Sequence, residues 1–126
     1  MNKEIKNFNV EEIPYDFLER FFNFVYSNGN SADLLEEELE QLNTISIKIA
    51  MRLKGTNITR EDLEYYRELL YANLLIEYFV RKNYVIRKEP FSLENCDNLD
   101  YEITEEGEKF FRLLKLLEQT EYVPKN

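Results

Sequence analysis

The 126-residue sequence predicts a mainly α fold with one small β-hairpin: about four to five helices, one of them long and central, another at the C-terminus. Three observations predict it. Only three Gly and three Pro punctuate the chain, too few for a loop-rich all-β fold. The apolar fraction is 44%, with nine Phe and nine Tyr, enough for one domain with a core of ordinary size. Two threonines, Thr59 and Thr104, stand just ahead of acidic first turns, and two short alternating runs lie between them.

Residues 1–12 are polar and are expected to be a flexible N-terminus. A first helix is predicted from about Pro14 to Ser27. Proline suits a first helical turn, and Phe17, Leu18, Phe21, Phe22, Phe24 and Val25 make a wide apolar face. Asn28-Gly29-Asn30 ends it. Ser31 is a good N-cap for a second helix to about Leu42, with Asp33 in its first turn. Leu34, Leu35, Leu39 and Leu42 are expected inward; Glu36, Glu37, Glu38 and Glu40 read as a mostly solvated face, since adjacent helical carboxylates diverge and do not converge on a metal.

Thr44–Lys54 fits two periods. Read with period two, Ile45, Ile47, Ile49, Met51 and Leu53 line one strand face. Read with period 3.6, Ile45, Ile49 and Leu53 stack at i, i+4, i+8, with Lys48 and Arg52 as a separate stripe. Lys54-Gly55 tips the reading to helix, because it places a cation in the last turn before a residue free to adopt positive φ. Thr59 then caps a helix to about Lys82, with Glu61 and Asp62 in the first turn and Ile58 and Leu63 spaced as a hydrophobic staple. Leu69–Val80 is apolar nearly all round, as a buried central helix would be. Tyr84–Lys88 and Tyr101–Thr104 read as paired strands. Pro90, Asn95, Asp97, Asn98 and Asp100 suit the loop between them. Thr104 caps a last helix from Glu105 to about Gln119, and residues 121–126 are expected to be a flexible tail.

Composition excludes much chemistry. Histidine is absent and Cys96 is the single cysteine. Ser-His and Cys-His pairs, His-ligated metals and an intramolecular disulfide are therefore ruled out. Cys96 reads as an incidental thiol whose pKa Glu94 and Asp97 would raise. Tyr65-Tyr66 reads as core packing rather than a nucleophilic pair. No apolar run approaches the roughly 20 residues needed to cross a bilayer, and MNKEIKNFN lacks the apolar stretch of a signal peptide. The expectation is a cytoplasmic, non-enzymatic protein with no metal or cofactor. The formal net charge is −9, yet two islands are basic. Residues 44–60 hold Lys48, Arg52, Lys54 and Arg60 and no acid; residues 81–90 hold Arg81, Lys82, Arg87 and Lys88 against Glu89. Cations gathered in an acidic chain point to an anionic ligand.

The C-terminal half resembles the winged-helix DNA-binding superfamily, over FVRKNYVIRKE (79–89) and, after a polar loop, YEITEEGEKFFRLL (101–114). Tyr101, Ile103, Thr104 and Gly107 fall on that family's return strand and helix start, and Asn83 stands where the family often has Gly. The resemblance implies a single winged-helix-like domain over 13–120. Extended upstream, it makes Ile45–Lys54 the first helix of a helix-turn-helix and Thr59 onward the recognition helix. Lys48, Arg52, Lys54 and Arg60 would then approach phosphates, Arg87 and Lys88 would do so from the wing, and Arg60, Tyr65 or Arg67 would read bases. Three features depart from the pattern. Glu61, Asp62 and Glu64 open the recognition helix, Glu94, Asp97 and Asp100 sit in the wing, and the helix is long.

Two functions follow as expectations. The first is a small dimeric regulator that binds duplex DNA. The second is an acidic protein-binding module, an inhibitor or nucleic-acid mimic acting on a basic partner. The aromatic first helix and the last helix carry more apolar surface than a small domain readily buries. This suggests a homodimer through Phe17, Phe21, Phe24, Phe110, Leu113, Leu114 and Leu117. The DNA reading requires Arg52 and Arg87 to share one exposed cationic ridge, free of neighbouring carboxylates.

Overall fold

The computed structural model describes residues 9–26, 34–94, 96, 97 and 99–122, with backbone alone for 118–122. Its described part is mainly α with one two-stranded hairpin. Helix α1 spans Tyr15–Tyr26, α2 Glu36–Lys54, α3 Arg60–Arg81 and α4 Glu105–Tyr122; β1 is Val85–Arg87 and β2 Tyr101–Ile103. The expected Ser31 cap, Asp33, the Asn28-Gly29-Asn30 turn, loop residues Asn95 and Asn98, and tail residues 123–126 lie outside the described residues.

The described N-terminal residues are anchored. Asn9 caps a single 3-10 turn, Val10–Glu12, its side chain accepting from Glu11 N at 2.9 Å. Val10 is fully buried. The flexibility expected for 1–12 therefore does not extend over residues 9–12. Pro14 starts α1, its carbonyl accepting from Phe17 N and Leu18 N at 3.1 and 3.2 Å. Leu18 and Phe21 face the core.

Thr44–Lys54 is helical, and it belongs to one 19-residue helix that starts at Glu36. The two segments read as separate helices are continuous because no breaker interrupts them. Leu42, Ser46, Ile49 and Ala50 are buried at i, i+4, i+7, i+8, the stripe of a 3.6 period, and Met51 is exposed. Leu35, expected inward, is exposed because it is the N-cap position, where the chain is still extended. Leucine has no oxygen to cap with. Glu38 takes over half of that role by accepting from Leu35 N at 3.0 Å. Gly55 ends α2 at φ +92, with its N–H on Met51 O at 2.9 Å.

Thr59 and Asp62 form a reciprocal capping box, with Asp62 N to Thr59 Oγ1 at 3.1 Å and Thr59 N to Asp62 Oδ2 at 3.0 Å. α3 then runs 22 residues through the centre of the fold and packs against both α1 and α2. Its Leu69, Leu70, Leu74 and Tyr78 join Val10, Leu18, Phe21, Leu42 and Ile49 in one core.

After α3 the chain turns at Asn83, whose φ is 67, a left-handed value that asparagine tolerates better than most residues. β1 and β2 are antiparallel, with Val85 opposite Ile103, Ile86 opposite Glu102 and Arg87 opposite Tyr101. Thr104 Oγ1 donates to Asn83 O at 2.7 Å and accepts from Gly107 N at 2.9 Å, so one hydroxyl fastens the α3 exit to the α4 start. A Cβ at Gly107 would overlap the Tyr84 carbonyl, which explains glycine at this close approach. α4 docks through its first turns. Phe110 stacks on Tyr84 at 4.2 Å between ring centroids, and Phe111 meets Phe79 edge-on at 5.0 Å.

Part of the connection between the strands packs on α3, burying Leu93 and Cys96. Asn73, buried within α3, donates to Cys96 O at 2.9 Å and to Leu69 O at 2.8 Å.

Candidate functional site

Both basic islands are placed by regular structure. Lys48, Arg52 and Lys54 are exposed on the last turns of α2, and Arg60, Tyr65 and Arg67 on the first turns of α3. The short link between the helices brings Arg60 and Arg67 into one cleft with Asn43, Ser46, Ile47, Leu63 and Glu64. The cleft carries its own acid, Glu64, between the two arginines. Across the exposed positions 60–68, Glu61, Glu64 and Glu68 outnumber Arg60 and Arg67. These acids offset the two arginines on the first turns of α3. Tyr65 is exposed rather than packed in the core, edge-on to half-buried Tyr66 at 5.0 Å.

Two arginines of the second island are engaged inside the molecule. Glu77, with 5% of its side chain exposed, holds two arginines, one per carboxylate oxygen. Arg81 Nε donates to Oε2 at 2.9 Å and Arg87 Nη2 to Oε1 at 2.8 Å. Arg81 also donates through Nη2 to Glu11 O at 3.0 Å and Val10 O at 3.4 Å. Glu11 in turn accepts from Phe91 N at 3.0 Å. This network joins the N-terminal turn, α3, β1 and the inter-strand loop. Charge-assisted bonds to a buried carboxylate are strong, and removing one partner strands the others. A hydrogen bond to Tyr15 pushes the pKa of Lys82 up. Lys88 lies 3.8 Å from Glu102.

The cationic ridge expected from sequence is therefore not assembled. Arg87 retains only 13% of its side-chain exposure, on Glu77, and Arg52 lies 3.7 Å from Glu94 in the inter-strand loop. The Arg52 pair is a surface contact of small energy, whereas the Arg87 pair is buried. Glu77 was missed in the sequence reading, although it is the one acid in the apolar stretch Leu69–Val80 and stands four residues before Arg81. Cys96 is buried, contrary to its polar neighbours. Burial first, then Asp97 and Glu94, pushes its thiol pKa up. Among the described residues, no three Cys, Asp or Glu side chains are placed to hold a metal ion.

A second feature lies between α1 and α2. Ile13, Pro14 and Phe17 face Leu42 and Ile45 across a groove, with Asp16, Arg20, Glu38 and Gln41 at its edges. Arg20 crosses from α1 to α2, its Nη1 2.7 Å from Glu38 Oε1, and its guanidinium lies 5.5 Å from the Phe17 ring centroid. That hydrogen bond, then the one from Leu35 N, lowers the pKa of Glu38. Glu38 is thus a structural link rather than part of the solvated face.

No family model matches the chain. No curated protein and no solved structure matches it either. Of the side chains expected at a dimer interface, Phe21 is fully buried against Tyr71, which removes it from any interface. Phe17 lines the α1/α2 groove, Phe24 packs on the core and Phe110 belongs to the aromatic cluster with Tyr84. Leu114 is half-buried, while Leu113 and Leu117 are 59% and 53% exposed on α4. Among the described residues, no helix is long and apolar enough to cross a membrane.

Proposed function

We propose that this chain is a non-enzymatic protein-binding module whose acidic faces cover a basic surface of a partner. One observation carries the reading: the described N-terminal part, through α1 and the first turns of α2, presents acids to solvent almost without cations. Glu12, Asp16, Glu19, Glu36, Glu37 and Glu40 are all exposed, and Arg20 is the one cation in the described part of residues 9–43. A surface of one sign steers an oppositely charged partner and accelerates encounter. The test is a fluorescence-anisotropy titration at low ionic strength, with a labelled random DNA duplex and a labelled lysine-rich protein in parallel. The lysine-rich protein is expected to bind with an affinity that falls as salt rises, and the duplex to stay free. Duplex binding that weakens when Lys48, Arg60 and Arg67 become Glu would overturn this reading in favour of a DNA-binding regulator of winged-helix type.

The exposure of Leu113 and Leu117 supports a second proposal, that two copies pair through α4. Contiguous apolar surface of this kind marks association sites, and a two-fold axis would let each leucine meet its own copy.

A further inference from the structure

We infer that the groove between α1 and α2 docks a basic amphipathic helix of the partner, apolar face inward; this rests on the protein-binding reading above. The groove supplies both halves of such a site. Its floor is apolar, built from Ile13, Phe17, Leu42 and Ile45. Its α1 edge carries Asp16, with 83% of its side chain exposed. On the α2 edge, exposed Glu37 stands one turn before Gln41. Arg20 is matched by Glu38 and lies 3.8 Å from Asp16, so it leaves the edge negative. Lys48, one turn beyond Ile45, marks the end where the partner's cations should be fewest.

Length and backbone chemistry select a helix as the occupant. The lining residues run from 13 to 20 at the start of α1 and from 38 to 45 on α2, and the α2 wall is about 10 Å long at 1.5 Å per residue. That length takes two turns of a partner helix and its i, i+3/i+4 anchors. Both walls are helices whose backbone groups are bonded internally. An extended segment would find no ladder to join, whereas a helix brings its own hydrogen bonds satisfied.

The test uses the full chain and a synthetic helical peptide of leucine and lysine with one apolar stripe. A second peptide has the same composition but a scrambled stripe. The striped peptide is expected to bind at least tenfold tighter than the scrambled one. Asp16→Lys with Glu37→Lys should weaken it at least tenfold, and Glu61→Lys with Glu64→Lys, on α3, less than twofold. Equal binding of the two peptides, or a larger loss from the α3 pair, overturns the groove assignment while leaving the protein-binding reading standing. If neither peptide binds and the lysine-rich protein also stays free, the protein-binding reading itself fails. Circular dichroism of each variant checks that the helices are retained; these four acids are exposed, and none is in the core.

Discussion

Glu77 is the residue whose environment departs furthest from its sequence context. It sits among core side chains, yet it is the anion that lets Arg81 and Arg87 be enclosed. Glu77→Ala would leave two guanidinium groups without their carboxylate. We expect a loss of about 3–5 kcal/mol, read as a lowered urea midpoint. Glu38 is a milder case with a definite sign. Its folded pKa is lowered, chiefly by Arg20, from an ordinary value near 4.5. The unfolded chain therefore takes up a proton before the folded one as pH falls. The stabilisation is complete above the ordinary value and is lost as pH drops through the lowered folded value. Glu38→Gln should flatten the stability–pH curve in that acid window and leave its slope above neutrality unchanged. The i, i+4 spacing of Glu77 and Arg81 is visible in the sequence. The second partner, Arg87, comes from a strand beyond a turn, and no local pattern announces it.

At the scale of elements, legibility followed the range of the forces involved. Thr59, Gly55 and Thr104 were readable as boundaries because caps act within four residues. The 3.6 and 2.0 periods coincide over Ile45, Ile49 and Leu53, so Thr44–Lys54 stayed open until packing against α3 selected the helix. The loop between the strands looked like an exposed wing because its composition is polar. Leu93, Cys96 and the Asn73 amide outweigh that composition through contacts 23 residues apart. Gly107 tests the α3–hairpin–α4 junction. Alanine ordinarily favours a helix over glycine by about 1 kcal/mol. Here the new methyl would meet backbone atoms of Tyr84, which no rotamer change relieves. Gly107→Ala should therefore destabilise, by about 1–3 kcal/mol, in thermal or urea denaturation.

For the whole molecule, the question is what covers the exposed leucines of α4. If two copies pair there, sedimentation velocity will show a dimer, and Leu113→Glu with Leu117→Glu will yield a folded monomer. A monomer for the unaltered chain at all concentrations would remove the pairing proposal and leave the groove untouched, since the two sites share no residue. By itself the sequence determined the mainly helical class, most helix ends, the hairpin and the lack of histidine or of an intramolecular disulfide within these 126 residues. Those properties depend on periodicity, capping and composition, which are local or additive. Only the tertiary structure decided where the cations go, because an arginine's partner is set by which elements meet and not by its neighbours in the chain. Charge placement along the chain suggested a basic ridge; folding turned Arg81 and Arg87 onto one buried carboxylate and set Arg52 beside Glu94.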